Sequence, residues 1–284
     1  MPPRATPTAR QQRLGAELRK LREQAGLSVV EAGKALGADR TRISNIEAGR
    51  LGLSAERIRA LAAVYACPDP ALVDALVMMA GERGKGWWEE CRGTLPTSLL
   101  DLAELEYRAL ALTYMQVIYV PGLLQTEEYA RAVFRLAVPE LAQIDVRRRV
   151  SFRMQRKCVM ERGGGATPTK FIVHEAALRM LYADAGTHRR QLERLIEFGE
   201  QSSITIRVIP FSAGGYPGAN SFAAHAAGAV PSLDTVQIDA AHGSLFLHSE
   251  THLENYRGIF RRAEEAALDP EDSRDFIDKV AGEL

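Results

Sequence analysis

The stretch VVEAGKALGADRTRISNIEA, residues 29–48, contains two short amphipathic segments separated by Gly37. In the second segment Ile43 and Ile46 are three residues apart, a spacing that places both on one side of a helix. Gly37 can form the corner because a positive φ costs little only for glycine. The stretch therefore predicts two helices joined by a tight turn, the second of them buried on one side only.

The polar side of the second helix carries short or basic hydrogen-bonding side chains: Arg40, Thr41, Arg42, Ser44 and Asn45. A helix-turn-helix presents such side chains to a DNA groove while its apolar side is anchored in a small core. Arginine can bind guanine through two hydrogen bonds, and asparagine can pair with adenine. The pattern favours a DNA-reading helix over a helix-turn-helix used only for protein contacts.

Helix-end signals surround this stretch. Ser28 and Glu31 have the spacing of a capping box, Asp39 is the expected N-cap of the reading helix, and Gly49 its expected end. Helical spacing over 13–24, Ser54 before a fourth helix, and a fifth helix after 70 complete a small all-α domain. We predict a disordered basic arm at 1–12, the five-helix domain at 13–80, a linker at 81–86 and a second domain at 87–284.

The second domain mixes helical and strand patterns. Strands are predicted over 171–174, 204–209, 220–225, 235–238 and 244–248. Helices are predicted over 102–113, 125–138, 145–161, 188–200, 250–267 and 271–280, the last capped by Asp269. The expected fold class is therefore an N-terminal five-helix domain followed by an α+β domain with a small sheet of four or five strands.

The charge is balanced overall but uneven along the chain. Residues 1–66 hold 12 Lys+Arg against 6 Asp+Glu, whereas the remainder holds 24 against 30. A basic head on an acidic body suits a polyanion that the head alone binds. No apolar run is long enough for a membrane span, and residues 1–13 lack an apolar h-region, so we expect no secretory signal there. Three widely spaced cysteines favour a reducing compartment, so we expect a cytoplasmic protein.

The segment Leu18 to Tyr65 resembles the XRE/Cro/lambda-repressor type of DNA-binding domain, through GLS at 26–28 and RISNIEAGR at 42–50. The resemblance implies a third helix, at about 39–48, in the major groove. Its expected base-facing side chains are Arg40, Thr41, Ser44 and Asn45, and its expected phosphate contacts are Ser28, Arg42 and Arg50.

The same resemblance implies an internal salt bridge between Arg22 and Glu47 that orients the reading helix. Two positions depart from the family pattern. Val29 stands where the family often has a glutamine that touches DNA, and Gly33 replaces the usual alanine. Glycine inside a helix costs roughly 1 kcal/mol relative to alanine.

The second domain is similar to the companion domain of actinobacterial regulators of the WhiJ-like type, through GWWEE at 86–90 and VPGLLQTEEYARA at 120–132. A basic helix around 153–156 and the segment 174–178 add to this similarity. It implies a regulatory module that often works with a small acidic partner protein, without a known ligand. Candidate effector or partner-binding residues are Trp87, Trp88, Tyr129, Arg153 and Tyr216. The alternative for the two tryptophans is that they dock the linker onto its domain. The alternative for the basic helix 147–157 is that its charged face is simply exposed to solvent.

No catalytic, cofactor or metal site is expected. His242, His248 and His252 cluster in sequence, but His248 falls at a predicted strand end, which breaks helical ligand spacing. No nucleophile–base set or phosphate loop stands out. The sequence predicts a homodimeric, sequence-specific transcription regulator that binds an inverted repeat of double-stranded DNA and senses a ligand or partner. The alternative is an antitoxin-like or adaptor protein that sequesters a small acidic partner encoded nearby and regulates its own promoter.

Overall fold

A computed structural model describes residues 7–81, 86–161, 165–218, 222–240 and 243–284. Within these residues the helices are α1 (Ala9–Gln24), α2 (Val29–Ala35), α3 (Arg40–Glu47), α4 (Ala55–Val64), α5 (Pro70–Gly81), α6 (Thr97–Arg108), α7 (Glu127–Arg135), α8 (Gln143–Arg156), α9 (Cys158–Glu161), α10 (Glu175–Arg179), α11 (Ala185–Gly199), α12 (Glu250–Glu265) and α13 (Pro270–Gly282). The strands are β1 (Ala111–Gln116), β2 (Thr169–His174), β3 (Ile204–Ile209), β4 (Ala223–Ala227), β5 (Thr235–Ala240) and β6 (Gly243–Leu247). None of the helices in the described ranges combines the length and the apolarity needed to cross a bilayer.

The chain forms two compact units. The helical unit comprises Met1–Leu105 with Ala229–Leu233, and the sheet unit comprises Glu106–Gly228 with Asp234–Leu284. The expected fold class, a helical N-terminal region followed by an α+β region, is thus confirmed.

The first four helices each begin after a side chain that accepts a backbone N–H: Thr8, Ser28, Asp39 and Ser54. Such caps satisfy amides that have no partner inside the helix. The capping box at Ser28, the cap at Asp39 and the cap at Ser54 confirm the helix starts predicted from sequence. Gly37 and Gly49 have positive φ values of 58° and 71°, as their places at helix ends require.

The predicted disordered arm at 1–12 is wrong from Ala9 onward, where α1 begins. Thr8 and Gln11 form a capping box: the Gln11 amide donates to the Thr8 hydroxyl at 3.2 Å, and the Thr8 amide donates to the Gln11 side chain at 3.0 Å. The Pro/Thr/Arg composition suggested disorder, but the spacing of Thr8 and Gln11 carries the stronger local signal. Residues 1–6 lie outside the described residues.

The core of the helical unit holds Leu18, Ile43, Ile58 and Leu61, all with 0% exposure. It also includes Leu233, which the segment Ala229–Leu233 contributes from far along the sequence. Arg13 of α1 donates a hydrogen bond to the carbonyl oxygen of Ser232 in the same segment. The hydrophobic core formed by the five predicted helices is therefore completed by a sixth segment, Ala229–Leu233.

The boundary between the units lies after Leu105 and not in the predicted linker 81–86. Gly81 is the last residue of α5, and residues 82–85 are outside the described part of the chain. Residues 86–105 belong to the helical unit: Trp88 is 2% exposed, and Asp101 accepts a hydrogen bond from the Ala9 amide at 3.1 Å.

In the described residues, six strands form one sheet in the order β3-β2-β1-β4-β5-β6. Strands β1, β2 and β3 are parallel, and β4, β5 and β6 are antiparallel neighbours. The prediction of four or five strands missed β1, whose first three residues had been included in a helix over 102–113. That helix ends at Arg108. In β1 the residues Tyr114, Met115 and Gln116 are all buried, so the strand lacks the alternation that identifies half-buried strands.

Several other predicted boundaries shift. The helix expected over 125–138 is shortened to α7, because Thr126 caps it and it ends at Arg135. The helix expected over 145–161 begins at Gln143 and is divided between α8 and α9 at Lys157. The strand expected over 220–225 is displaced to β4, and the short α10 was not predicted.

We predict that Gly15→Ala destabilises the helical unit by about 1–3 kcal/mol, the usual cost of overpacking. A Cβ at Gly15 would lie 2.4 Å from the carbonyl oxygen of Glu47, a backbone atom that cannot move without displacing the end of α3. Chemical denaturation of the full chain measures the effect. The matched control is Gly81→Ala, whose Cβ would meet nothing within 4 Å. Equal stability of the two variants would contradict the close approach of α1 to α3.

Candidate nucleic-acid interface

The turn between α2 and α3 depends on a close backbone approach at Gly33. The Ala38 amide donates to the Gly33 carbonyl at 2.8 Å, and a Cβ at Gly33 would lie 2.7 Å from the Ala38 carbonyl oxygen. An alanine at this position would therefore force the turn open. Glycine replaces the usual alanine at position 33 because the Ala38 carbonyl lies too close for a Cβ, which helix propensity alone does not reveal.

The reading helix α3 is anchored on one side and exposed on the other. Ile43 and Ile46 are 0% and 3% exposed, as their spacing predicts. Asp39 caps the helix, accepting from the Arg42 amide at 2.6 Å. An eight-residue helix is not stable alone, so this packing determines both its formation and its position.

A buried ion pair holds the end of α3 to α1. The Arg22 guanidinium donates to both carboxylate oxygens of Glu47, at 2.6 and 3.0 Å, and to the Leu27 carbonyl at 2.8 Å. The two side chains are 7% and 8% exposed. The hydrogen bond that Arg22 donates to Glu47 raises the pKa of Arg22 above its ordinary value. The salt bridge implied by the family resemblance is present, with the two-point geometry that arginine favours.

The opposite side of α3 presents the side chains that the sequence assigns to DNA. Arg40, Thr41, Arg42 and Ser44 are exposed, and Asn45 is partly exposed. Together they form one continuous polar surface on the helix, with Ile43 and Ile46 turned away. The structure therefore leaves these hydrogen-bonding groups available to an incoming ligand.

The arginines of this surface have no counter-ion in the part of the chain that the structure describes. Within the described residues no ion pair involves Arg40, Arg42 or Arg50, and Arg50 is exposed just after α3. Other arginines of the helical unit are paired, such as Arg19 with Glu23 at 2.8 Å and Arg59 with Asp74 at 3.1 Å. Unpaired guanidinium groups on one surface are suited to phosphates, which dominate the affinity of proteins for DNA.

Ser28, the remaining predicted contact, is exposed at the start of α2. Its hydroxyl oxygen accepts from the Glu31 amide at 3.2 Å, and its own amide donates to the Glu31 carboxylate at 2.8 Å. The Ser28 hydroxyl also donates to the Glu31 carboxylate and, followed by the Ser28 amide, lowers the pKa of Glu31, so the capping box engages both polar groups of Ser28.

Two glycines that sequence reasoning did not assign to the interface support it from behind. A Cβ at Gly49 would lie 2.7 Å from the Gln11 carbonyl, and Gly15 is similarly close to Glu47. Both allow α1 to approach the end of α3. In the sequence, Gly49 was recognised only as the expected end of the reading helix, and Gly15 was not recognised.

The five candidate effector residues are divided between the two units. Trp87 and Trp88 belong to the helical unit, where their rings meet edge to face at 5.9 Å. Trp88 and Tyr129 are core residues, 2% and 0% exposed, so neither presents a surface to a partner. Tyr216 is half-buried, and its hydroxyl has no hydrogen-bond partner among the described atoms. Trp88 and Tyr129 were predicted to bind a partner but are buried, because large aromatic side chains stabilise a core more often than they line a site.

The predicted basic helix turns only part of its charge outward. Arg147 and Arg148 are exposed, and Arg148 lies 3.3 Å from Asp145. Arg156 is buried, and Arg153 is partly buried. His248 follows β6 and His252 lies within α12, so the predicted break in their helical spacing is confirmed. His242 lies outside the described residues.

The geometry of α2, Gly37 and α3, with its exposed cationic surface, defines a helix-turn-helix DNA-binding regulator. Residues 13–76 match the family model of a helix-turn-helix domain. Residues 99–279 match the model described as a domain of unknown function, DUF5753. Because this second match covers more than half of the chain, the protein belongs to the DUF5753 family. Neither the curated proteins nor the solved structures contain a significant match.

We predict that Glu47→Ala lowers the stability of the helical unit by about 3–5 kcal/mol, because it leaves the buried Arg22 with only a longer contact, 3.5 Å, to the exposed Glu23. Thermal and chemical denaturation of the full chain measure the loss. The matched control is Asp74→Ala, which removes an exposed ion pair with Arg59 and should change stability by less than about 1 kcal/mol. If Glu47→Ala melts like the control, the pair does not support α3.

Proposed function

We propose that the protein is a sequence-specific transcription regulator that binds an inverted repeat as a homodimer, with an input received by the sheet unit. The observation that carries the proposal is the rigidly held α3 with its row of exposed, unpaired hydrogen-bonding side chains. The proposal includes no catalytic reaction, and it places the protein in the cytoplasm together with its DNA.

The division of labour on the interface follows from side-chain chemistry. Arg40 and Asn45 have the groups that read guanine and adenine in the major groove, and Thr41 and Ser44 offer shorter hydroxyl contacts. Arg42 and Arg50 supply charge for the phosphates. The fixed position of α3 against α1 supports base reading, because a hydrogen bond to a base edge requires a defined distance and angle.

A homodimer follows from the small number of base-reading residues in one helical unit. Four or five side chains discriminate too weakly against the non-specific sites of a genome, and two copies double the contacts. A two-fold dimer imposes two-fold symmetry on its DNA site.

The sheet unit carries a surface suited to a second copy of the chain. Ile118, Tyr119, Met180 and Leu181 are 46%, 37%, 45% and 53% exposed. The ring of Tyr119 lies 4.7 Å from that of Tyr182, so the two segments are neighbours. A contiguous group of large exposed apolar side chains is typical of an interaction site. We therefore place the dimer contacts in the sheet unit.

The input is proposed to be a small molecule or a partner protein. The similarity of the second domain to the companion domain of WhiJ-like regulators favours a regulatory role, and a small acidic neighbour protein is the partner to test. Genome-wide mapping of DNA bound by the full chain, with and without that neighbour, shows whether it changes occupancy. A neighbour that is toxic when expressed alone would instead favour the antitoxin-like alternative.

We predict that Arg40→Ala and Asn45→Ala each weaken binding to the mapped operator by about 1–3 kcal/mol, with little effect on random duplex DNA. Arg50→Ala should weaken binding to both DNAs, because a phosphate contact carries no sequence information. Fluorescence anisotropy with the two duplexes measures the difference. Arg131→Ala removes an equal charge from the sheet unit and serves as the control. Equal losses on both DNAs for Asn45→Ala would show that Asn45 does not read a base.

We predict that the full chain protects two half-sites whose centres are about 34 Å apart, or a multiple of that spacing, in inverted orientation. Affinity should fall steeply with salt, because the unpaired arginines displace counter-ions from the phosphates. Footprinting on an inverted repeat and on a single half-site tests the arrangement. Equal affinity for both duplexes, with one unsymmetrical protected segment, would contradict a dimer that pairs the reading helices.

A further inference from the structure

Helix α8 brings two arginines of the sheet unit to the same backbone turn. A Cβ at Gly122 would lie 3.6 Å from the Nε of Arg153 and 3.7 Å from an Nη of Arg156. Gly122 begins the 3₁₀ turn Gly122–Leu124, within the VPGLLQT segment that stands out in the sequence. This segment therefore packs directly against the two guanidinium groups.

The charge of Arg156 is balanced within the protein. Its Nε donates to a carboxylate oxygen of Glu106 at 2.8 Å, and its Nη2 donates to the other oxygen. The Tyr114 hydroxyl donates to the same carboxylate, and the side chains of Arg156 and Glu106 are 5% and 1% exposed. Arg156 thus uses its Nε–Nη2 edge to bind one complete carboxylate.

Arg153, one turn earlier, has only uncharged contacts. Its Nη1 donates to the side-chain oxygen of Gln125 at 2.6 Å, and its guanidinium lies over the ring of Phe134 at 4.2 Å. In the described parts of the chain it forms no ion pair, and its Nε is enclosed without an acceptor. Burial, followed by the charge of Arg156, lowers the pKa of Arg153 to about 9. A desolvated cation of this kind is unfavourable until an anion joins it.

Neither nearby carboxylate forms an ion pair with Arg153 among the described residues, and Glu106 is bound by Arg156. Asp239 attracts Arg153 through space, but its Oδ1 accepts from Gln237 and from Ser244, both at 2.7 Å. Gln237 is itself fully buried, and its own side-chain oxygen has no partner among the described atoms. Register pairs Gln237 with Ala224 and Ala224 with Tyr114, so the three share one face of the sheet. The sheet face that carries Tyr114 therefore also carries the Gln237 side-chain oxygen, which lacks a hydrogen-bond donor among the described atoms.

We propose that Arg153 binds the carboxylate group of a small molecule, and that this molecule is the input of the regulator. The second half of the statement rests on the proposed function. Because the Nε of Arg153 is enclosed and its Nη1 donates to Gln125, the contact is assigned to Nη2, which has no acceptor among the described atoms. Gln125 and Phe134 hold the guanidinium plane in place, so Nη2 is positioned for a charge-assisted hydrogen bond to a carboxylate oxygen. Because Arg153 is partly covered, a small molecule reaches it more readily than a folded protein surface does.

The test is a titration of the full chain with sodium acetate, with sodium chloride added to hold the ionic strength constant. The readouts are the melting temperature and isothermal calorimetry. Acetate should stabilise the protein in a saturable way, while the uncharged acetamide should not. Arg153→Gln and Arg153→Lys should each weaken acetate binding at least about tenfold, the loss of one charge-assisted contact. Arg147→Gln, which removes an exposed arginine of the same helix, is the matched control and should leave acetate binding unchanged.

The proposal is overturned if acetate stabilises the unsubstituted protein no more than acetamide does. It is also overturned if either Arg153 variant binds acetate as the control does. A parallel titration with inorganic phosphate separates the two anion chemistries: tighter binding of phosphate than acetate would overturn the assignment to a carboxylate. The comparison of acetate with acetamide needs no variant, so it can overturn the proposal even if Arg153→Gln does not fold, and Arg153→Lys then assigns the binding to this position.

Failure of the proposed function is recognised separately by measuring operator binding of the full chain with and without acetate. Acetate that binds at Arg153 without changing operator affinity overturns the role as input but leaves the site. A chain that binds acetate at Arg153 but no DNA refutes the proposed function and also leaves the site. The two conclusions therefore do not depend on a single measurement.

Discussion

The buried ion pair between Arg22 and Glu47 is the interaction on which the DNA-facing surface depends. Helix α3 is too short to be stable alone, and two isoleucines fix only its apolar side. The ion pair fixes its C-terminal end against α1, and the third bond, from Arg22 to the Leu27 carbonyl, joins the start of α2 to the same point. A buried pair contributes to stability only when its hydrogen bonds are complete, as they are here on both carboxylate oxygens.

The helix-turn-helix could be predicted closely because its signals are local. The caps at Ser28 and Asp39, the corner at Gly37 and the spacing of Ile43 and Ile46 are each readable within a few residues. Strand β1 could not be predicted in this way, because its second half is buried on both faces and it begins only three residues after the end of α6. The boundary after Leu105 was equally hidden, since only tertiary packing shows which unit a segment joins.

The candidate sites also divide into those set by local sequence signals and those set by tertiary packing. The exposed side of α3 followed from amphipathic spacing, so its reading residues could be assigned from sequence. Whether an aromatic residue is core or surface depends on neighbours distant in sequence, and Trp88 and Tyr129 proved to be core. The counter-ion of an arginine is likewise a tertiary property. Nothing near Arg153 and Arg156 in the sequence shows that Glu106 pairs with the second and leaves the first unpaired.

The place of Leu233 in the helical core bears on how the protein is made. A chain that grows from its N-terminus releases α1 to α5 early, but Leu233 and the Ser232 carbonyl join them only after β4 has left the ribosome. The reading helix is thus synthesised long before its supporting core is complete. A translation product that stops before residue 229 would carry every base-reading side chain but would lack part of the supporting core. Such a partly unfolded domain is a substrate for quality-control proteases.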